Sequence, residues 1–245
     1  MQPPVAPILE LVNVSKSFGA LKVVDELSVS LQSGEALGVV GPNGAGKTTM
    51  LNLISGTLRV DEGRIVFAGR DLGDCPPHIR CRIGIGRTYQ IPRPFAGMTV
   101  FENVLVGATH GRGRPERASY DRCMAALERA GLEHKANELA GALTLLERKR
   151  LELARALATE PRVLLLDEIG GGLTEVEVRA LIETIKSLRA EGLSIIWIEH
   201  IVHALLAVVD RLVAIDFGRK VMEGEPQAVI NSPEVQDVYL GSAVP

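Results

Sequence analysis

The stretch GPNGAGKT, Gly41 to Thr48, constrains this chain more tightly than any other part of it. It matches G-x-x-x-x-G-K-[ST], in which a glycine-rich turn lets backbone N–H groups curl around phosphate oxygens at the positive end of a helix. The pattern works only between a strand and a helix, and the flanks supply both. ALGVVG (Ala36–Gly41) is a continuous apolar run of the kind found in strands buried on both faces. TTMLNLIS follows with helical spacing, and Gly56 stands where a C-terminal cap belongs. Gly41, Pro42, Asn43, Gly44, Ala45, Gly46, Lys47, Thr48 and Thr49 are therefore expected to form a phosphate cradle. In such a loop Lys47 bridges the β and γ phosphates and the Thr48 hydroxyl ligates Mg²⁺.

A buried strand feeding such a loop implies an α/β sheet, and the remaining segments agree. RVLLLDE (Arg162–Glu168) and LSIIWIEH (Leu193–His200) read as further buried strands, with TEVEVRALIETIKSLRAEG between them as an amphipathic helix. This alternation predicts a mostly parallel sheet covered on both faces. Residues 8–35 alternate apolar and polar positions as half-buried antiparallel strands do, and GRIVFAG (Gly63–Gly69) reads as an edge-type strand. DRLVAIDFGRKVMEGE reads as a hairpin. Its DFG, Asp216–Gly218, copies a kinase metal motif but has no H-R-D loop beside it, so it is read as a turn. From Ile91 to Glu160 strand-like runs stop and helical spacing takes over, in ASYDRCMAALERAGL and in LTLLERKRLELARAL. The expected organisation is one domain over residues 8–245. Residues 8–90 and 160–245 form its core and residues 91–159 a helical insertion.

Acids at strand ends supply the second set of candidates, because ligands bind outside the carboxyl ends of strands in open α/β sheets. Asp167 closes VLLLD and is expected in the Mg²⁺ shell, and the adjacent Glu168 polarises an attacking water as general base. His200 closes IIWIEH, where its imidazole can donate to a γ-phosphate. Gln90, in GRTYQ, stands on a loop from which it can sense metal or water. His200 and His203 lack a carboxylate or cysteine partner at helical spacing, so a shared metal is disfavoured.

Bulk properties narrow the classes. Apolar residues at 46% suffice for a sizeable core, and charged residues at 23% argue against general disorder. A net charge of −3 provides no basic field for nucleic acid, and aromatics at 4% weaken a base-stacking reading. No apolar run reaches the length of a bilayer span, and the N-terminal residues do not read as a secretory signal. Cys75, Cys81 and Cys123 are odd in number and in no metal-ligand spacing, the pattern of inert thiols in a reducing compartment.

With these residues in place the chain resembles the ATP-binding subunits of ABC transporters, and more narrowly the Liv-type ATPases of branched-chain amino acid uptake. The likeness covers nearly the whole chain. GPNGAGKTTMLNLISG matches the Walker A segment, VLLLDE Walker B, GRTYQ the Q-loop, MTVFENVLVG the start of the helical subdomain and IEH the switch histidine. GEPQAVINSPEVQDVYLG resembles the Liv-type ending. The resemblance implies a RecA-like P-loop NTPase core with an N-terminal antiparallel β subdomain and an inserted helical subdomain. It implies ATP and Mg²⁺ as ligands, with Thr48, Gln90 and Asp167 at the metal and Phe18 stacking on adenine. It implies transmembrane permease subunits and a second ATPase subunit as partners, the heterodimer being favoured. A solute-binding protein would act indirectly, and the chain would lie peripherally on the cytoplasmic face of the inner membrane. Beside Gln90, Arg87 and Arg93 mark the expected docking face.

Two segments depart from the family pattern. Where the family carries LSGGQ, which contacts the γ-phosphate across a head-to-tail dimer, this chain reads Leu143, Thr144, Leu145, Leu146, Glu147. A leucine Cβ and isobutyl group obstruct the close backbone approach that glycine permits. The D-loop aspartate is replaced by Thr174, after Gly170, Gly171 and Gly172.

Overall fold

The computed structural model describes residues 6–113 and 115–241. In chain order the elements begin with β1 (Leu9–Phe18), β2 (Leu21–Leu31), β3 (Ala36–Val40), α1 (Lys47–Ser55), β4 (Glu62–Phe67) and β5 (Arg70–Asp71). Next come α2 (Pro77–Ile83), β6 (Ile85–Arg87), α3 (Val100–Arg112), α4 (Tyr120–Arg129), α5 (Leu145–Ala158), β7 (Val163–Asp167) and α6 (Glu175–Ala190). The chain continues with β8 (Ser194–Ile198), α7 (Val202–Leu206), β9 (Arg211–Asp216), β10 (Arg219–Gly224), α8 (Pro226–Ile230) and α9 (Pro233–Gly241). They fall into two compact units. One joins the residues up to Pro77 to those from Ser194 onward, and the other is His78–Leu193.

In the first unit β3 is the central strand. Its five residues are all buried, as a continuous apolar run requires when both faces are covered. It pairs parallel with β8 from Ala36↔Ile195 to Val39↔Ile198, and parallel with β9 from Leu37↔Arg211 to Val40↔Ala214. β10 adds antiparallel to β9, so the DFG turn does join a hairpin, with Phe217 and Gly218 both at positive φ. Gly38 is required inside β3 because a Cβ there would stand 2.6 Å from Leu212 Cδ1. A second, antiparallel sheet has the order β2-β1-β4-β5. Its alternating residues put Leu9, Leu11, Val29, Leu31, Ile65 and Phe67 on the buried face. GRIVFAG keeps its edge character only in part. β5 pairs with Val66 and Phe67, covering that end of β4 and leaving Glu62–Ile65 outermost.

In the second unit β6 and β7 pair in parallel, Ile85↔Val163, Gly86↔Leu164 and Arg87↔Leu165. This register sets the end of β6 beside the end of β7. The helices α3, α4 and α5 pack on one another. α3 crosses α5 closely because Gly107 and Gly111 carry no Cβ; one added at Gly107 would meet Arg155 O at 2.6 Å, and one at Gly111 would meet Thr159 Cβ at 2.8 Å. Asn103 is fully buried, accepts from the Phe95 N–H (2.8 Å) and donates to the Phe95 and Thr99 carbonyls (3.1 and 2.8 Å). It thereby pins the segment that follows Gln90. Burial pushes the Cys123 thiol up to about 11, which leaves it unreactive.

Candidate functional site

The glycine-rich loop joins β3 to α1 in the first unit. Gly41, Gly44 and Gly46 adopt φ of 151°, 84° and 98°. At Gly41 a Cβ would fall 2.1 Å from the Ile215 carbonyl oxygen, and at Gly46 2.5 Å from that of Val23. Both positions therefore exclude side chains on steric and conformational grounds. Lys47 is the first residue of α1 and is 8% exposed; its ammonium donates to the carbonyls of Gly41 (2.6 Å) and Pro42 (2.8 Å), so it lies under the loop it belongs to. Asn43, Gly44 and Thr48 are exposed, Ala45 is buried, and Pro42 and Thr49 are half-buried.

Helix N-termini differ across the molecule in an instructive way. α3, α5 and α6 each start with a complete capping box, Thr99 with Glu102, Thr144 with Glu147 and Thr174 with Glu177. α1 starts at Gly46, which has no side-chain acceptor, and no acid stands in its first turn. The positive end of α1 is thus the one among these four that its own side chains do not neutralise.

His200 lies two residues beyond β8 in the same unit, with its side chain 59% exposed. Beside it Glu199 is only 1% exposed. Glu199 Oε1 accepts from the His200 backbone N–H at 3.1 Å and lies 3.5 Å from its Nδ1. Phe18 ends β1 at 48% exposure, with the Lys16 ammonium 5.7 Å from its ring centroid.

The acids belong to the second unit. Asp167 ends β7 and is 3% exposed. Arg87, which ends β6, donates from Nη2 to Asp167 Oδ2 at 3.1 Å, the two side chains being 6% and 4% exposed. Glu168 is half-buried at φ 47°, a left-handed conformation that costs a non-glycine residue energy and is concentrated at functional sites. Gln90 Nε2 donates to Glu168 Oε2 at 2.6 Å. Lys149 is buried in α5, and its ammonium lies 3.5 Å from the carbonyl oxygens of both Gln90 and Glu168. β6, β7 and α5 thus bring Gln90, Asp167 and Glu168 together within this unit. Chemically this is an ionisable acid with an amide donor on it, next to a buried carboxylate held by a guanidinium.

Arg87 corrects one expectation. Instead of facing a docking groove beside Gln90, its side chain is buried against Asp167, and of the two arginines only Arg93 is exposed. The reason is the parallel register, which sets Arg87 level with Leu165, two residues from Asp167. Sequence reasoning also missed Lys149 and Glu199. A charged residue falling on the buried face of its element was the available signal.

The altered signature is a self-contained helix start. The Thr144 hydroxyl accepts from the Glu147 N–H (3.4 Å), while Glu147 Oε2 accepts from the Thr144 N–H (2.8 Å). The Thr144 N–H, the Thr144 hydroxyl and Lys135 hold the Glu147 carboxyl below its ordinary range, so it carries a full negative charge. Thr174 plays the same part for α6, and its N–H keeps Glu177 depressed.

Mg²⁺ takes hard oxygen donors. Thr48, Asp167 and Gln90 offer them as hydroxyl, carboxylate and amide oxygens. Among the described residues no group of three or more His, Cys, Asp or Glu could hold a metal. Asp167 is a carboxylate of the kind through which Mg²⁺ is held beside phosphate oxygens, so its chemistry fits the ion. Among the described residues no helix is long and apolar enough to cross a membrane.

Comparison with known proteins gives concordant results. The family described as ABC transporter matches residues 24–170. The high-affinity branched-chain amino acid transport ATP-binding protein LivG of Salmonella typhimurium is 34% identical over 252 residues, 97% of this chain and 99% of the relative. The lipopolysaccharide export system ATP-binding protein LptB of Haemophilus influenzae is 35% identical over 234 residues, 96% and 97% respectively. A crystal structure of a nucleotide-free ATP-binding cassette from an ABC transporter matches with TM-score 0.88 at 30% identity, covering 96% of this chain and 99% of that one.

Proposed function

The chain belongs to the ABC transporter family, with the P-loop NTPase fold of its ATP-binding cassettes, and from that premise we propose that it is the ATP-hydrolysing subunit of an importer for branched-chain or related amino acids. The observation that carries this reading is the glycine-curled loop over Lys47, at the head of a helix left without a side-chain cap. Lys47 and the backbone N–H groups of residues 43–49 take the β and γ phosphates. Phe18 stacks on adenine. Glu168 accepts the proton of the attacking water, and the Gln90 amide on Oε2 orients that carboxylate. His200 donates to the γ-phosphate, its ring steadied by Glu199. Thr48, Asp167 and Gln90 would hold Mg²⁺, which when bound neutralises charge on the transferring phosphoryl group.

ATP binding closes two such subunits and hydrolysis reopens them, driving transmembrane permease subunits on whose cytoplasmic side the chain docks through the segment around Arg93. Uptake of amino acids is supported by the LivG relative, although LptB serves export in its own organism. A solute-binding protein belongs to the uptake reading and touches the permease, not this chain. The partner ATPase is a different chain carrying LSGGQ. A second reading, a subunit that holds ATP and scarcely hydrolyses it, is favoured by the self-capped start of α5.

Calorimetry with Mg²⁺ and an unhydrolysable ATP analogue tests the premise of both readings. Saturable heat lost in Lys47→Ala is expected, and absence of heat in the unaltered chain would end them. Single-turnover hydrolysis in the assembled complex then separates them. Co-purification with permease subunits and a periplasmic-type binding protein tests uptake.

A further inference from the structure

Arg87, the buried partner of Asp167 at the ends of β6 and β7, has no role in the reading above. Asp167 is expected to meet a divalent ion, which requires an ionised carboxylate, yet it is 3% exposed. A carboxylate withdrawn from water is costly unless a cation and hydrogen bonds replace the lost hydration. Arg87 supplies both. Its guanidinium is charged at any working pH and planar, and Nη2 lies 3.1 Å from Asp167 Oδ2. The guanidinium also lies over the Tyr89 ring, its Cζ 4.9 Å from the ring centroid. An ionised carboxylate has acceptor sites for several partners, so a donor on Oδ2 does not compete with a metal ion or its water.

We propose that Arg87 is a positioning residue for Asp167, holding its carboxylate in the orientation that binding of the Mg²⁺–nucleotide complex requires. This rests on the assignment of Asp167 to the Mg²⁺ shell. Gln90, three residues after Arg87, holds the neighbouring Glu168 at 2.6 Å. One segment, Arg87–Gln90, thus fixes both acids at the end of β7. Partners of this kind orient metal ligands, and their loss typically weakens metal affinity about 10–100-fold.

The test is a fluorescent ATP analogue titrated into the full chain in Mg²⁺ and in EDTA, with thermal melting alongside. The Mg²⁺ increment is the ratio of the two affinities. In Arg87→Met we expect it to fall about tenfold or more while affinity in EDTA is unchanged. Arg87→Lys keeps the charge but not the planar fork and should recover part of the increment. It also decides the matter if Arg87→Met fails to fold. A full increment in the folded variants, or equal losses with and without Mg²⁺, overturns the proposal and leaves Arg87 a structural ion pair. Asp167→Asn separates the two failures. If it keeps the increment, the assignment of Asp167 is wrong; if it loses the increment while the Arg87 variants keep it, only the role of Arg87 is wrong.

Discussion

Glu168 combines three features that belong together in a general base. It stands at φ 47°, it follows a strand whose five residues are all buried, and one carboxylate oxygen already accepts from Gln90 at 2.6 Å. A left-handed conformation at a β-linked acid is costly, and it aims the side chain where the strand alone would not. Glu168→Gln keeps the shape and removes the proton acceptor. Turnover should fall about 10²–10⁴-fold with nucleotide affinity within about twofold of the parent, measured by steady-state hydrolysis and direct binding. An unchanged rate would remove Glu168 from the mechanism. Residues of this kind were legible in the sequence because the local pattern spells them. Lys47 and Thr48 follow from one eight-residue motif, and Asp167 and Glu168 from the end of an apolar run. Arg87 and Lys149 were not legible in their roles. Their partners lie 80 and 19 or more residues away along the chain, so only the pairing of β6 with β7 and the packing of α5 reveal them.

At the scale of elements, capping chemistry separates α3, α5 and α6, which their own side chains cap, from α1, which they do not. α3, α5 and α6 satisfy their first N–H groups with Thr-x-x-Glu boxes, and α1 begins at a bare glycine. For α5 the box is worth testing because it stands where the family places its signature. Thr144→Ala removes the acceptor for the Glu147 N–H. It should cost about 1 kcal/mol, a fall of about 2–4 °C in Tm for a chain of this size. The folded-state pKa of Glu147 is lowered, so its contribution is complete above its unfolded value and fades as pH falls through the depressed one. Thr144→Ala keeps the Thr144 N–H but loses the hydroxyl that also holds Glu147, so its deficit should be largest at neutral pH and shrink in part in acid, as melting at the two pH values would record. α1, β3, β7, α6 and β8 lie within one or two residues of the segments that helical period and apolar runs mark. β6 is not so marked, because three residues within IGIGR carry no periodicity, and only their register against Val163–Leu165 makes them a strand.

At the scale of the whole molecule, the unaltered phosphate loop and the altered signature make one subunit unequal on its two sides. In the head-to-tail arrangement proposed above, each nucleotide meets the loop of one subunit and the start of the signature helix of the other. On that reading the start of α5 is a poor seat for phosphate. The Thr144 and Glu147 N–H groups are engaged by side chains of the same turn, Leu145 and Leu146 replace glycines, and Glu147 is anionic. Two copies of this chain would carry the defect in both sites, whereas on the proposed reading pairing with an LSGGQ-bearing subunit sets this chain's phosphate loop against an unaltered signature. ATP turnover by the chain alone should accordingly be slow and rise on mixing with that partner. Most of the gain should vanish when Glu168→Gln is placed in this chain. The triple change Leu145→Gly, Leu146→Gly and Glu147→Gln reopens the helix end and removes the repelling charge, so it should raise turnover of the isolated chain at least about tenfold, given the effect of a single preorganised donor. Fast hydrolysis by the unaltered chain without a partner, or a triple variant no faster than its parent, would show that α5 imposes no such asymmetry.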